Sequence, residues 1–231
     1  MPTTVFASSG DMHVRDTSTT SWSDAQGTVS TTGTNYNGNA SNFDFGIYNI
    51  YTAGRGAATF TNIRSYFPFQ LSSLSGTVVS AKMTLNTDFT GLGSTNEATV
   101  RIIQATALAN GNADYGNCYS SGTTFGTTLG EGVVSTTLGN HDFNFNSDGV
   151  TAINNAIGSG TLTVAALGYY DYTDTAPSLG GDYVQIAVAY SERGGTSSDP
   201  ALVLTFEQPI EVNPIKINGG LIVKGGNLKI L

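Results

Sequence analysis

The chain has 231 residues, a formal charge of -8 and 11% charged against 39% hydrophobic side chains. Nucleic-acid binding needs a basic footprint to neutralise phosphate, and seventeen Asp and Glu against nine Lys and Arg exclude it. An aromatic content of 10% argues against disorder. The sequence holds no run of about 18 apolar residues that would cross a membrane as a helix, and its Gly, Ser and Thr content is not that of a coiled coil.

The N-terminal MPTTVFASSG lacks a basic region and an apolar stretch of signal-peptide length, so no secretory leader is expected. Cys118 is the single cysteine, which rules out an internal disulfide. Strand chemistry dominates the body, with β-branched and aromatic runs punctuated by Gly, Asn, Ser and Thr. In 78–85, Ala81, Met83 and Leu85 alternate with Lys82 and Thr84, which predicts a strand with one buried face. Segments 98–104, 161–167, 183–190 and 201–206 are further predicted strands. Many short strands with one solvated face and Gly-rich turns point to antiparallel sheets arranged as a sandwich or a barrel.

Two long polar loops, at about 17–42 and 107–130, are expected to be recognition surfaces. Between them and the last strands, 148–158 places Val150, Ile153 and Ile157 at helical spacing, with Asp148 as N-cap and Gly158 as terminator. The end of the chain differs from the body. Residues 1–208 carry six Lys and Arg against sixteen Asp and Glu, a charge of -10, whereas 209–231 carry three against one, a charge of +2. Gly-Gly pairs divide this tail into apolar β-pieces containing Ile215, Ile217, Leu221, Val223, Leu228 and Ile230. So short a strand set is unstable alone and exposes unpaired edges. The division is therefore a body, 1–208, and a tail, 209–231, for anchoring or oligomerisation; the alternative is a tail paired with the body's own sheet edge.

No catalytic signature stands out. His13 and His141 are the only candidate bases, no Gly-x-Ser-x-Gly elbow surrounds a serine, and the acids form no evident pair. Asp171, Asp174 and Asp182 fall in one predicted loop and supply hard oxygen ligands, so they are candidate calcium ligands, with Asp11 and Asp16 as a second option. The alternative is that these are solvated loop acids. Tyr169, Tyr170, Tyr172 and Tyr183 surround the same loop, and Trp22 and Tyr36 lie on the first long loop. Aromatic faces stack on sugar rings, which makes these six candidate carbohydrate-binding residues. The alternative is that the tyrosines pack into the core and onto sheet edges. An acidic surface repels polyanions, so a neutral or cationic glycan fits best.

The order of features resembles a known family. Asp11-Met12-His13-Val14-Arg15-Asp16 is similar to the opening strand of DNRLRE-type domains, which are related to alginate-binding carbohydrate-binding modules. The segment from Arg64 to Leu85, with Phe69-Gln70-Leu71-Ser72-Ser73-Leu74-Ser75-Gly76 at its centre, resembles the family's next pattern, and Asp148-Gly149-Val150-Thr151 its short helix. Tyr190-Ser191-Glu192-Arg193 and Pro200 to Phe206 resemble its closing strands. The resemblance covers about 5–207 and implies an all-β, antiparallel jelly-roll β-sandwich that binds rather than turns over a ligand. The tail resembles the endings of phage structural proteins. Together these imply a non-enzymatic virion structural protein that decorates a phage capsid or forms part of a tail or fibre. Its partners would be copies of itself, other virion proteins and a host glycan, with no nucleic acid and no membrane. The alternatives are a secreted carbohydrate-binding module of a polysaccharide-active enzyme, or a bacterial surface or filament subunit. If the tail is an assembly element, deleting 209–231 leaves a folded, monomeric body by circular dichroism and light scattering; loss of folding refutes that role.

Overall fold

The computed structural model describes residues 2–37, 44–53, 57–158, 160–191 and 197–208. The tail with Ile215, Ile217, Leu221, Val223, Leu228 and Ile230 lies outside the described residues, as do Glu192 and Arg193. Among the described residues the strands are, in chain order, β1 (Thr3–Phe6), β2 (Met12–Ser18), β3 (Asn35–Asn37), β4 (Asp44–Thr52), β5 (Thr59–Gln70), β6 (Val78–Gly91), β7 (Glu97–Gln104), β8 (Tyr119–Ser121), β9 (Thr124–Phe125), β10 (Thr128–Ser135), β11 (Gly139–Phe145), β12 (Thr161–Gly168), β13 (Val184–Val188) and β14 (Ala201–Phe206). The helices are α1 (Trp22–Gln26), α2 (Ser147–Ala156) and α3 (Tyr169–Tyr172), with a 3-10 segment at Asn112–Cys118.

The all-β, antiparallel expectation holds, but the layers are not open. Pairing runs β6–β11–β10–β7–β12–β5–β4–β13 and returns from β13 to β6, an eight-stranded closed barrel. Of the two arrangements the strand pattern allows this is the barrel, and the sandwich implied by the family resemblance is corrected on this point. The physical reason is strand length. β5 has 12 residues and β6 has 14, enough for each to pair with two partners in succession. β5 pairs β4 through Thr59–Ile63 and β12 through Ser65–Gln70. β6 pairs β14 through its first half and β13 through its second. Two strands that change partner along their length join one layer to the other and remove the free edges between them. β14 and β1 extend outward from β6, and β2 and β3 from β5.

Every barrel strand sends side chains to one core, among them Ile47, Phe67, Met83, Val100, Leu129, Phe143, Val164 and Ile186. The predicted alternation along β6 is present: Ala81, Met83 and Leu85 are buried, and Lys82 and Thr84 are half-exposed. The helix is also where the spacing places it, although Asn146 rather than Asp148 caps it, its Oδ1 accepting from the Gly149 amide at 2.9 Å. Gly158, at φ 75°, follows the helix end. Asn154 ties α2 to β6 through two bonds to the Val78 backbone, of 2.8 and 2.9 Å. Leu71 is buried beneath the turn after β5, and Gly76, at φ 99°, takes the left-handed conformation that this connection needs. Pro68 lies past the end of the β2 ladder, where its carbonyl accepts from Ser8 instead, so its missing N–H costs no sheet bond.

The described parts of the two long loops, 17–37 and 107–130, are not wholly free surfaces. They fold as α1, the 3-10 segment and the β8–β9 hairpin, and they cover the outer face of β2, β5, β7 and β12. This second core contains Met12, Val14, Tyr66, Ile103, Tyr115, Cys118, Tyr119, Ala165 and Leu167. β12 is therefore buried on both faces, with Val164 and Ala166 toward the barrel and Ala165 and Leu167 toward the cover.

At the centre of the cover is Arg64, fully buried on β5. Its Nε and Nη2 donate to the two carboxylate oxygens of Asp171 at 2.6 and 2.7 Å. Nη1 donates to the Tyr115 carbonyl at 3.0 Å, and Nη2 also reaches the Gln26 carbonyl and the Tyr119 hydroxyl. The guanidinium carbon lies 4.2 Å from the Tyr115 ring centroid and 4.8 Å from that of Tyr119. Burial alone would lower the pKa of Arg64; the Asp171 carboxylate, with Cys118 and Tyr115 adding to it, more than offsets this and holds the guanidinium charged. An amide relay runs alongside, from Asn49 Nδ2 to Asn62 Oδ1 at 2.7 Å and from Asn62 Nδ2 to the Tyr115 hydroxyl at 2.9 Å.

Arg64→Met leaves Asp171 buried without its partner and should cost about 3–5 kcal/mol in denaturant unfolding, whereas Arg64→Met with Asp171→Leu should recover most of that loss. Burial also raises the Tyr66 and Tyr115 phenols and pushes the Cys118 thiol from 9.0 to about 11, with Arg64 opposing. These groups are thus held neutral in the folded chain. The thiol's contribution is fully present below pH 9.0 and is lost as pH rises through about 11, a span of about 3 kcal/mol. Cys118→Ala should flatten that part of the stability–pH curve measured by urea unfolding; an unchanged slope between those values would refute the assignment.

Candidate functional site

The tyrosines gather where β12 gives way to α3. Gly168 pairs with Val100, so the next residues emerge beside the first residues of β7. A Cβ at Gly168 would meet Asn49 Oδ1 at 2.1 Å, so glycine is what lets the buried amide relay lie against this corner. Asp171 then anchors α3 from below through Arg64, and Gln26 Nε2 donates to the Asp171 carbonyl. With the middle of the short helix held down, Tyr169 is presented outward and Tyr170, half-buried, rests against the barrel core beside it.

Tyr169, Tyr170 and Tyr183 line one cleft of about 380 Å³ with Glu97, Thr99 and Asp182. The Tyr169 ring stands perpendicular to Tyr170 at 5.3 Å between centroids and close to perpendicular to Tyr172 at 5.8 Å. Tyr169 is 43% exposed. Tyr172 turns away and packs under Arg101, whose guanidinium carbon is 3.9 Å from the ring centroid. The Tyr170 phenol is raised by burial and then by the nearby Asp182 carboxylate, and the Tyr172 phenol by burial with Arg101 opposing. The arrangement offers stacking faces, phenolic hydroxyls and two carboxylate acceptors, which together suit a hydroxyl-rich ring.

Three of the six candidate aromatics, Tyr169, Tyr170 and Tyr183, are thus brought together. Trp22 is 4% exposed on α1 and meets Phe60 edge-on at 6.3 Å. Tyr36, half-buried on β3, packs against the second core. Neither lies at the cleft. The calcium candidates also separate. Both Asp171 oxygens are taken by Arg64 at zero exposure, whereas Asp182 accepts from the Ser94 hydroxyl at the cleft. Asp174 sits at φ 52°, a conformation that Asp tolerates in turns. Among the described residues no group of three His, Cys, Asp or Glu side chains is arranged to hold a metal ion. Asp11 accepts from the Ser191 amide and hydroxyl at 2.8 and 2.6 Å, and Asp16 from the Thr17 amide at 2.8 Å. His13 is buried on β2, and His141 Nε2 lies 2.9 Å from the Thr137 carbonyl.

Sequence reasoning missed Glu97 as a cleft residue, because it lies 72 positions before Tyr169 and only the β7–β12 pairing joins them. It also missed a groove of about 550 Å³ at the other end of β7 and β12, lined by Gln70, Gln104, Asn110, Asn155, Thr161 and Thr163 among others. Its residues come from five separate stretches with no local signature. A scan against known protein families finds no match for the chain, and a search of curated proteins finds none similar to it.

Proposed function

We propose that the chain is a non-enzymatic virion structural protein whose body presents the tyrosine cleft to a host glycan. The observation that carries the binding reading is the convergence of Tyr169, Tyr170 and Tyr183 on one cleft with Glu97 and Asp182. A closed barrel with a rigidly anchored corner is a fitting scaffold, since a site on locked elements is held more accurately than one on free loops. The virion setting draws on the contrast between an acidic, hydroxyl-rich body and a basic, apolar, glycine-divided tail. That tail would anchor or oligomerise the protein on a phage capsid, tail or fibre. The jelly-roll kinship suggested by the residues from Asp11 to Phe206 belongs to this proposal.

The same cleft supports a second reading, a secreted carbohydrate-binding module of a polysaccharide-active enzyme. Genes for capsid and tail proteins beside this one would favour the first reading; a longer parent gene encoding a hydrolase would favour the second. In either case the cleft is the contact surface. Tyr169→Ala should reduce affinity for a glycan identified on an array by about tenfold, the loss of one aromatic stacking contact. Undiminished binding by Tyr169→Ala and Tyr183→Ala would rule the cleft out.

A further inference from the structure

We propose that the tyrosine cleft is selective for glycans bearing a protonated amine, that is, amino sugars without an N-acyl group. This rests on the glycan reading above and names its substrate class.

The first support is charge. The cleft is lined by two carboxylates, Glu97 and Asp182, and no basic side chain is among its lining residues within the described part of the chain. The ion pairs among the described residues are Arg64–Asp171, Lys82–Asp142 and Arg101–Glu131, so neither cleft acid is matched by a cation there. Asp182 is held in place by the Ser94 hydroxyl, and its backbone amide by Ser178 Oγ at 2.8 Å. A ligand that brings its own positive charge supplies what the cleft lacks, whereas a polyanion adds a like charge.

The second support is a cation site the protein has already filled next door. Arg101 lies 3.9 Å from the Tyr172 ring centroid, and its charge is met by Glu131 at 3.6 Å. An aromatic face, a cation on it and a carboxylate behind the cation make one complete unit. Tyr169 is the next ring in the row, nearly perpendicular to Tyr172, and it is the exposed one. It repeats the aromatic face with carboxylates nearby, while the cation is left to the ligand. An N-acetyl group would remove the charge and add bulk at the same nitrogen.

The test is calorimetric titration of the full chain with a soluble β-1,4-linked glucosamine oligomer and with its fully N-acetylated counterpart. It is run at mildly acidic pH, where the amine is protonated, and at physiological salt. The glucosamine oligomer should bind at least about tenfold more tightly. Glu97→Gln and Asp182→Asn, which keep shape and leave an acceptor for Ser94, should each erase most of that preference, whereas Glu207→Gln, remote from the cleft, should not. Equal or tighter binding of the acetylated oligomer, lost in Tyr169→Ala, overturns the amine proposal and leaves the glycan reading standing. Binding of neither oligomer, with neutral glycans bound on an array at the cleft, does the same. No glycan binding of any kind overturns both. A preference that survives both cleft substitutions, or that Glu207→Gln also removes, reflects general attraction to an acidic surface and overturns the proposal.

Discussion

The outer half of this molecule depends on the buried pairing of Arg64 with Asp171. Removing a guanidinium and a carboxylate from water costs several kcal/mol per ion, and the mutual attraction repays it only when the remaining donors and acceptors are satisfied. Here they are. Arg64 meets both carboxylate oxygens, two backbone carbonyls and a tyrosine hydroxyl, under two aromatic rings. Each partner belongs to a different piece of chain: Gln26 to α1, Tyr115 to the 3-10 segment, Tyr119 to β8 and Asp171 to α3. Such a pair is weak evidence of net stability, but it has one geometry in which every group is paired. It therefore selects a single arrangement of segments that carry little regular structure of their own.

That selection reaches the candidate site. α3 spans four residues, too few to hold a helix by its own hydrogen bonds. Its third residue is the buried anion, so the tyrosines before and after it are placed by the ion pair. Tyr172 is directed toward Arg101, while Tyr169 and Tyr170 are left at the cleft. The barrel contributes the other wall, because the pairing of β12 with β7 brings Glu97 and Thr99 alongside. A residue read in isolation as a calcium ligand, Asp171, thus serves the cleft from beneath rather than from within it.

Much of the barrel was legible beforehand. Alternation along 78–85, the helical spacing of Val150, Ile153 and Ile157 and the terminating Gly158 are properties of a few consecutive residues, and the structure realises them. Closure was not legible, because whether a strand exchanges one neighbour for another halfway along depends on its twist and on what lies beside it. Nor were the fates of the two long loops. Their Ser, Thr, Gly and Asn content is that of exposed connections, yet Tyr115, Cys118 and Tyr119 pull the second loop down as part of a core.

The sequence alone determined the class of secondary structure, the inward faces of the strands, the acidic character of the body and the distinct composition of the tail. These follow from side-chain periodicity and charge, which are written within single segments. The tertiary structure decided that the layers close, that Arg64 finds an anion 107 positions away, and which of the six aromatic candidates share a cleft. Those outcomes depend on the order in which strands pair, and that order is set by all the segments competing for the same buried space.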